Sequence, residues 1–338
     1  MENILTSLCS SGTVSGNELV DLDIIKELMP DIEIETDYNN NIIATMGNKS
    51  SEDVILLDAH NDRIGFVVSY IDDEGFIKIS NCGGIDRRVL LGSEVTVMGK
   101  KPLHGIVCCL PPHLSDGGED KAPSADSIYI DTGLSRAEVT ELVSLGDNVV
   151  ALSKPKRLIG SRFTAGSLDN KAGVASLIRV AHILADKKLD CCVKLLFSSQ
   201  EETGFLGSRT ASFAIKPSCA IVVDVSFATQ PMVAPEKCGE LSKGPMLGIA
   251  PVLDKEMFAE LKNLSQENNI PYQIEVMSST TGTNADAITT TASGVRTALV
   301  SIPLRNMHTQ AELVDMEDIE KTAELIALYI MKRGAKNE

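Results

Sequence analysis

The chain has 338 residues, 43% hydrophobic and 23% charged, the composition of a globular protein with a sizeable core in one large domain or two. Without Trp and with only 4% aromatics, that core must be aliphatic. A formal net charge of −16 argues against nucleic acid and anionic membrane surfaces as partners, and no apolar run approaches the ~20 residues that span a bilayer. Met1-Glu2-Asn3 opens no signal-peptide pattern. The eight cysteines include the adjacent pairs Cys108-Cys109 and Cys191-Cys192, both inside apolar stretches, and no CxxC spacing occurs. Buried free thiols in a reducing cytoplasm are the reading that fits.

In chain order, helical spacing runs from about Asn17 to Leu28, followed by short strands near Ile32–Glu35, Ile42–Thr45 and Val54–Asp58. From Gly65 to about Val150 the texture changes to short alternating runs separated by turn signals such as Asp72-Asp73-Glu74-Gly75 and Cys82-Gly83-Gly84. The runs are Gly65–Ile71, Phe76–Ile79, Glu94–Val97, Gly105–Cys109 and Ile128–Asp131, the pattern of a small β-rich module. Ser135 followed by Glu138 reads as a capping box that starts a short helix. Pro111 to Ser127, rich in Pro, Gly, Asp and Ser, reads as a mobile loop. Beyond Leu158 longer units alternate: a helix over about Asn170–Ala185, strands near 193–199 and Ala220–Val225, and a helix near Lys255–Glu267. Strands near Tyr272–Val276 and Thr297–Ile302 and a terminal helix from about Met316 to Arg333 complete the chain. The expected fold is α/β, a central mixed sheet flanked by helices, with a small β-rich insertion.

The strand near 193–199 runs into Gln200-Glu201-Glu202-Thr203-Gly204. Two adjacent carboxylates at the end of a buried strand repel unless a proton or cation lies between them. A metal ion meets that demand, with one carboxylate as ligand and the other as base toward a metal-bound water. Sites in open α/β sheets form where strands end, and more candidates lie there: His60 and Asp62 after Val54–Asp58, Asp169 at the start of a helix, Asp224 after Ile221–Val223, and His308 beyond Ala298–Ile302. Nitrogen and carboxylate ligands of this kind suit zinc, cobalt or manganese. Each residue alone has a plainer reading. Asp169 could cap its helix, Asp62 could serve a turn, either histidine could be a hydrogen-bonded core residue, and Asp224 and the glutamates could be solvated. The recurrence of one position type in five segments favours a metal site.

These segments resemble, in order and through nearly the whole chain, the tetrahedral (TET) aminopeptidases, which include glutamyl and deblocking aminopeptidases and proteins labelled cellulase M. Ser15-Gly16-Asn17-Glu18 resembles Ser-Gly-x-Glu, and His60-Asn61-Asp62-Arg63-Ile64-Gly65-Phe66 resembles His-x-Asp-Glu-Ile-Gly-Phe. Asp169-Asn170-Lys171-Ala172-Gly173 resembles Asp-Asn-Arg-x-Gly, Gln200 to Gly204 resembles Gln-Glu-Glu-Val-Gly, and Arg305-Asn306-Met307-His308-Thr309 resembles Arg-Tyr-x-His-Ser/Thr. Gly83-Gly84, Pro111-Pro112-His113, Ile130-Asp131-Thr132-Gly133 and Gly146-Asp147 resemble landmarks of the family's inserted β-domain. The resemblance implies a zinc-peptidase-like domain over 1–65 and 158–338, with a β-barrel or PDZ-like dimerisation and assembly domain over 66–157. It implies two divalent ions (zinc, cobalt or manganese), bridged by Asp169, one completed by His60 and Asp224 and the other by Glu202 and His308. Glu201 would be the general base and Asp62 would orient His60. The implied reaction removes the N-terminal residue of short peptides with a free N-terminus, and the implied assembly is a homo-oligomer, a dodecamer built from dimers.

Two positions depart from the family pattern: Arg63 stands where it has Glu, and Asn284, in Gly282-Thr283-Asn284-Ala285-Asp286, stands where it has Asp. An added cation and a lost anion could favour acidic side chains at the peptide's first residue; the plainer reading of Arg63 is a surface or ion-pairing residue. The alternatives in function are a related metal-dependent hydrolase, deacylase or glucanase, and an assembly protein with a decayed site. Glycosidases need two carboxylates about 5–9.5 Å apart and no histidine–acid metal site, and all proposed ligands and the base are present here.

Overall fold

The computed structural model describes residues 1–111 and 127–335. Most of the loop expected over Pro111–Ser127, with His113, lies outside the described residues.

The strands of the large sheet are β1 (Glu33–Thr36), β2 (Ile42–Gly47) and β3 (Val54–His60), and the chain then enters a barrel formed by β4 (Gly65–Ile71), β5 (Ile77–Cys82), β6 (Glu94–Met98), β7 (Pro102–Cys108), β8 (Tyr129–Asp131) and β9 (Asn148–Ala151). It returns to the sheet through β10 (Lys156–Arg157), β11 (Arg162–Ala165), β12 (Cys192–Ser198) and β13 (Cys219–Phe227). The last strands are β14 (Met246–Ile249), β15 (Gln273–Val276), β16 (Arg296–Arg305) and β17 (Glu312–Asp315). The helices are α1 (Glu2–Cys9), α2 (Leu22–Leu28), α3 (Arg136–Leu142), α4 (Leu168–Leu184), α5 (Leu206–Ile215), α6 (Lys255–Glu267), α7 (Asn284–Thr289) and α8 (Met316–Gly334).

The sheet is mixed, in the order β1-β2-β12-β3-β13-β16-β17-β11-β10, with β14 beside β16 and β15 beside β14. Its centre, β12-β3-β13-β16, is parallel. Alternation along these strands separates two apolar faces, as the two-residue side-chain period requires. Ile55, Leu57, Val193, Leu195, Phe197, Ile221 and Val223 pack with α1, α4, α6 and α8. Leu56, Leu196, Ala220 and Val222 pack with Ala211 of α5 and with Ala285 and Ile288 of α7. The barrel is closed in the order β4-β5-β8-β7-β6-β9 around its own core of Phe66, Val68, Ile77, Val95, Val97, Ile130 and Val149. The capping box at Ser135 and Glu138 starts α3 as expected.

The helix expected over Asn17–Leu28 is instead a 3-10 turn, Glu18–Asp21, followed by α2. Helices α1, α5 and α7 and strands β9, β10, β11, β14 and β17 are not anticipated by the sequence reading. Among the described residues no helix is long and apolar enough to cross a membrane.

Candidate active site

Because β12, β3, β13 and β16 are parallel, their C-terminal ends open onto one region. Ser198 pairs with His60, and Asp224 pairs with Ser301. His60 ends β3, Glu201 and Glu202 follow β12, Asp224 lies near the end of β13, and His308 follows β16. Asp169 joins them from the start of α4, where its backbone is still non-helical (φ −81°, ψ 102°). It does not cap the helix: Asn170 Oδ1 accepts from the Gly173 amide at 3.0 Å. Gly173 permits this, since a Cβ there would lie 2.3 Å from that oxygen.

Asp169 turns one oxygen to each side. Its Oδ1 is 3.1 Å from His60 Nε2, and its Oδ2 is 3.2 Å from His308 Nε2. On the first side Asp224 Oδ1 lies 3.6 Å and Glu201 Oε2 4.0 Å from the same His60 nitrogen. On the second, Glu202 Oε1 lies 3.4 Å from His308 Nε2. Ligand atoms of His60, Glu201 and Asp224 lie within 4.8 Å of one another, as do those of Asp169, Glu202 and His308. All six expected ligand and base residues therefore meet in one place.

Buried carboxylates that accept backbone amides hold this cluster. Asp62 accepts from Glu201 N through Oδ1 (3.0 Å), from Glu202 N through Oδ2 (3.2 Å) and from Ser15 Oγ (2.5 Å). Its carboxylate is 3.5 Å from His60 Nδ1, while its own carbonyl oxygen is closer, at 3.1 Å. Glu18 accepts from the Gln200 amide at 3.0 Å, so three consecutive amides, 200 to 202, rest on two buried acids. Glu312 does the same beneath the other side, accepting from Ser167 N (3.0 Å), Asp169 N (3.1 Å) and His308 N (2.8 Å). Glu312 and the roles of Ser15 and Glu18 are absent from the sequence reading. The only trace of Glu312 is an acid four residues beyond His308.

The cluster concentrates buried, mutually opposed charge. Asp169, Asp224 and His60 are buried, and the glutamate side chains retain only 10% and 7% exposure. Burial, with the neighbouring acids, pushes Glu201 up to about 9 and Glu202 up to about 8, and raises Asp224. Burial would also raise Asp169, but hydrogen bonds to His308 and His60 outweigh it and hold it low. His60 is desolvated, yet the Glu201 charge and its acidic neighbours drive it well above 6.5. Without ions, then, the glutamates retain protons and the histidines stay protonated beside Asp169. Glu202 Oε1 is buried with no hydrogen-bond partner. An orphaned carboxylate oxygen beside an imidazole nitrogen fits a divalent ion, and the donor set of nitrogen and carboxylate oxygen fits zinc, cobalt or manganese.

The two departures lie behind the site. Arg63 is 5% exposed, not a surface residue, and its Nε is buried without a hydrogen-bond partner. Burial lowers its pKa against the opposing charges of Glu312, Cys9 and Glu202. Asn284 is 1% exposed and donates to Asp58 Oδ2 (2.9 Å) and Ser198 Oγ (2.8 Å) while accepting from Ser208 Oγ (2.7 Å). Its amide is fully engaged inside the protein, which removes the basis for reading position 284 as a substrate contact. Lys171 is buried in a salt bridge with Asp21 and donates to Asn61 Oδ1 at 2.7 Å.

An α/β sheet carrying a histidine–carboxylate cluster at the ends of its parallel strands, with a closed barrel inserted beside it, defines a peptidase of the metal-dependent kind. Residues 40–325 match the family model described as M42 glutamyl aminopeptidase, and the chain belongs to that family of aminopeptidases. It is 32% identical over 330 residues to a lysyl aminopeptidase of Pyrococcus furiosus, covering 95% of this chain and 94% of the relative. Among solved structures it superposes on a TET aminopeptidase from a marine sediment archaeon of the Thaumarchaeota with a TM-score of 0.92 at 27% identity, covering 98% of this chain and 95% of that one. The TET1 peptidase of Pyrococcus horikoshii, which can assemble into a tetrahedron or a large octahedral shell, matches with a TM-score of 0.88 at 28% identity, covering 98% and 99%.

Proposed function

We propose that this aminopeptidase works with two divalent cations and with Glu201 as general base. The observation that carries the reading is the split of Asp169, one oxygen toward each histidine. Asp169 would bridge, His60 and Asp224 would complete one position, and Glu202 and His308 the other. Four carboxylates (Asp169, Glu201, Glu202, Asp224) share this space with two imidazoles, which would be neutral as ligands, and two dications would match that charge. When bound, the cations would polarise the scissile carbonyl and make a water nucleophilic near neutral pH.

The remaining work falls to the chain. Glu201 makes no hydrogen bond through its carboxylate to the loop that carries it, and that carboxylate lies 4.0 Å from His60 Nε2, free to face a water in the cluster. It would take the proton of the attacking water and deliver it to the leaving amine. Asp62 and Glu18 fix its backbone, so that carboxylate is held in place before substrate arrives. The acid-rich cleft would hold the free α-amino group of a short peptide, which restricts cleavage to the first residue.

Glu201→Gln is the test. It should retain both ions by mass-spectrometric metal analysis and lose turnover on aminoacyl anilides by orders of magnitude, while Asp169→Ala should lose ions. Near-normal rates for Glu201→Gln would refute the base assignment. The same panel run with zinc, cobalt and manganese identifies the working ion.

The TET1 peptidase of Pyrococcus horikoshii, a dodecamer in one crystal structure and able to form a tetrahedron or an octahedral shell, supports a homo-oligomer here, and the assembly we propose is a dodecamer built from dimers. The barrel, within an insertion over 66–157 between the two parts of the catalytic domain (1–65 and 158–338), would be its assembly module. The buried thiols of Cys191, Cys192 and Cys219 support a cytoplasmic location.

A further inference from the structure

The two halves of the cluster are supported differently. His60 is oriented by its own segment, with Nδ1 against the Asp62 carbonyl at 3.1 Å. His308 takes its backbone position from the sheet, through its amide and Glu312, but its ring is oriented from the barrel: Nδ1 donates to the Gly84 carbonyl at 2.8 Å. Gly84 belongs to the turn that leaves β5 after Cys82. The preceding residue, Gly83, has φ +82°, and a Cβ there would lie 2.7 Å from Ile64 Cγ2, 3.3 Å from Glu202 Cβ and 3.4 Å from Glu202 Oε2. A Cβ on Gly84 would lie 3.4 Å from His308 Nδ1. One barrel turn therefore holds the His308 ring and leaves no room for a side chain beside Glu202.

We propose that the Cys82–Gly84 turn of the barrel is a positioning element for one cation position only, the one formed by Glu202 and His308. This rests on the two-cation reading above. The Gly84 carbonyl, which can only accept, selects the imidazole tautomer protonated at Nδ1. That leaves the Nε2 lone pair aimed between Asp169 and Glu202, as a ligand must be. Gly83 keeps the turn close without displacing the Glu202 side chain. Among the described residues neither His60 nor Asp224 hydrogen-bonds this turn, so the affinity of that position should not follow it.

The experiment is titration of the ion-free full-length protein with Zn²⁺ by calorimetry, with bound ions counted after dialysis. Wild type should take up two ions per chain. Gly83→Ala should weaken one of them about 10- to 100-fold, the range for loss of such a supporting contact, and leave the other within about threefold. Gly84→Ala is the gentler variant if Gly83→Ala does not fold, and it should weaken the same ion. Gly75→Ala strains the barrel at the opposite end of β5, where a Cβ would lie 2.6 Å from the Leu134 carbonyl oxygen. It should leave both ions unchanged. Equal weakening of both ions by the turn variants, no weakening, or the same selective loss from Gly75→Ala would each overturn the proposal. A wild type that binds fewer than two ions would instead defeat the two-cation reading beneath it.

Discussion

Replacing Asp62 by Asn changes no volume and removes one charge, and its consequence can be worked from the contacts. Oδ1 accepts from Glu201 N, and Oδ2 accepts from Glu202 N and Ser15 Oγ. Asn offers one oxygen and one NH2 group. The less costly orientation places the NH2 where Oδ2 was, because the Ser15 hydroxyl can turn and accept. The Glu202 amide is then left facing a donor. An unsatisfied buried amide costs about 1–3 kcal/mol, and the surviving bond to Glu201 loses its charge assistance, worth about 1 kcal/mol more. The total is roughly 2–4 kcal/mol against the geometry of the Glu201-Glu202 segment. If that geometry is what the reaction uses, kcat/KM should fall about 30- to 1000-fold at 1.36 kcal/mol per factor of ten. The assay is steady-state hydrolysis of an aminoacyl anilide with saturating metal, beside thermal unfolding to show that the variant is folded. Added to Glu201→Gln, Asp62→Asn should cost much less than it does alone, since both act through one carboxylate. A drop below about threefold in the single variant, or full additivity in the double, would refute the view that Asp62 acts by holding this loop.

Glu312→Gln should weaken both ions, about 10- to 100-fold by the same calorimetric titration, because one carboxylate holds the amides of both Asp169 and His308; loss of a single ion would contradict this. Asn284→Asp would set a second acid against Asp58, whose carboxyl burial already pushes up to about 7. Such a pair binds a proton in the folded state that the unfolded chain releases above about pH 4, so stability must fall as pH rises. The unfolding temperature should drop by more at pH 8 than at pH 5, and an equal drop at both would count against the contact. In the ion-free protein the hydrogen bond to Asp169 raises His308 to about 9, so this pair stabilises fully below about pH 6.5 and the contribution is lost as pH rises through 9. Ion binding at pH 7 to 8 should then release protons, seen as a dependence of the calorimetric heat on the buffer's ionisation enthalpy; the absence of that dependence would contradict the raised value.

Apart from Asp169, which opens a helix, the proposed site residues were legible in the sequence because each follows an apolar run. Val54–Asp58 leads to His60, Val193–Phe197 to the glutamate pair, Ile221–Val223 to Asp224 and Ala298–Ile302 to His308, and parallel pairing then brings those ends together. Of what supports them only Asp62 was anticipated; the rest was not legible, because it comes from elements with little apolar signal. The core side of α5 is Gly207, Ser208, Ala211 and Ser212. These are small because the helix packs very close to its neighbours: a Cβ on Gly207 would lie 2.3 Å from Asn41 Oδ1. Strand β17 opens with Glu312, which a pattern of alternating hydrophobicity scores as surface, although it is 2% exposed. Helix α7 has six residues, too few to show a period.

The same limit governs the departures at 63 and 284. Read along the chain, a cation and an amide beside an active-site motif suggest altered contact with substrate. Asn284 instead spends every polar atom on Asp58, Ser198 and Ser208. Arg63 lies behind the His60–Asp62 segment, with a guanidinium nitrogen 3.1 Å from where a Cβ on Gly166 would sit. There its charge opposes Glu312 and Glu202 from within the protein. A buried guanidinium with one unsatisfied nitrogen is costly to keep, and of the acids it faces Glu312 holds the amides of Asp169 and His308. Asn284 therefore acts on the frame of the site, while Arg63, which lines a small cavity with His308, acts through its charge on Glu312 and Glu202.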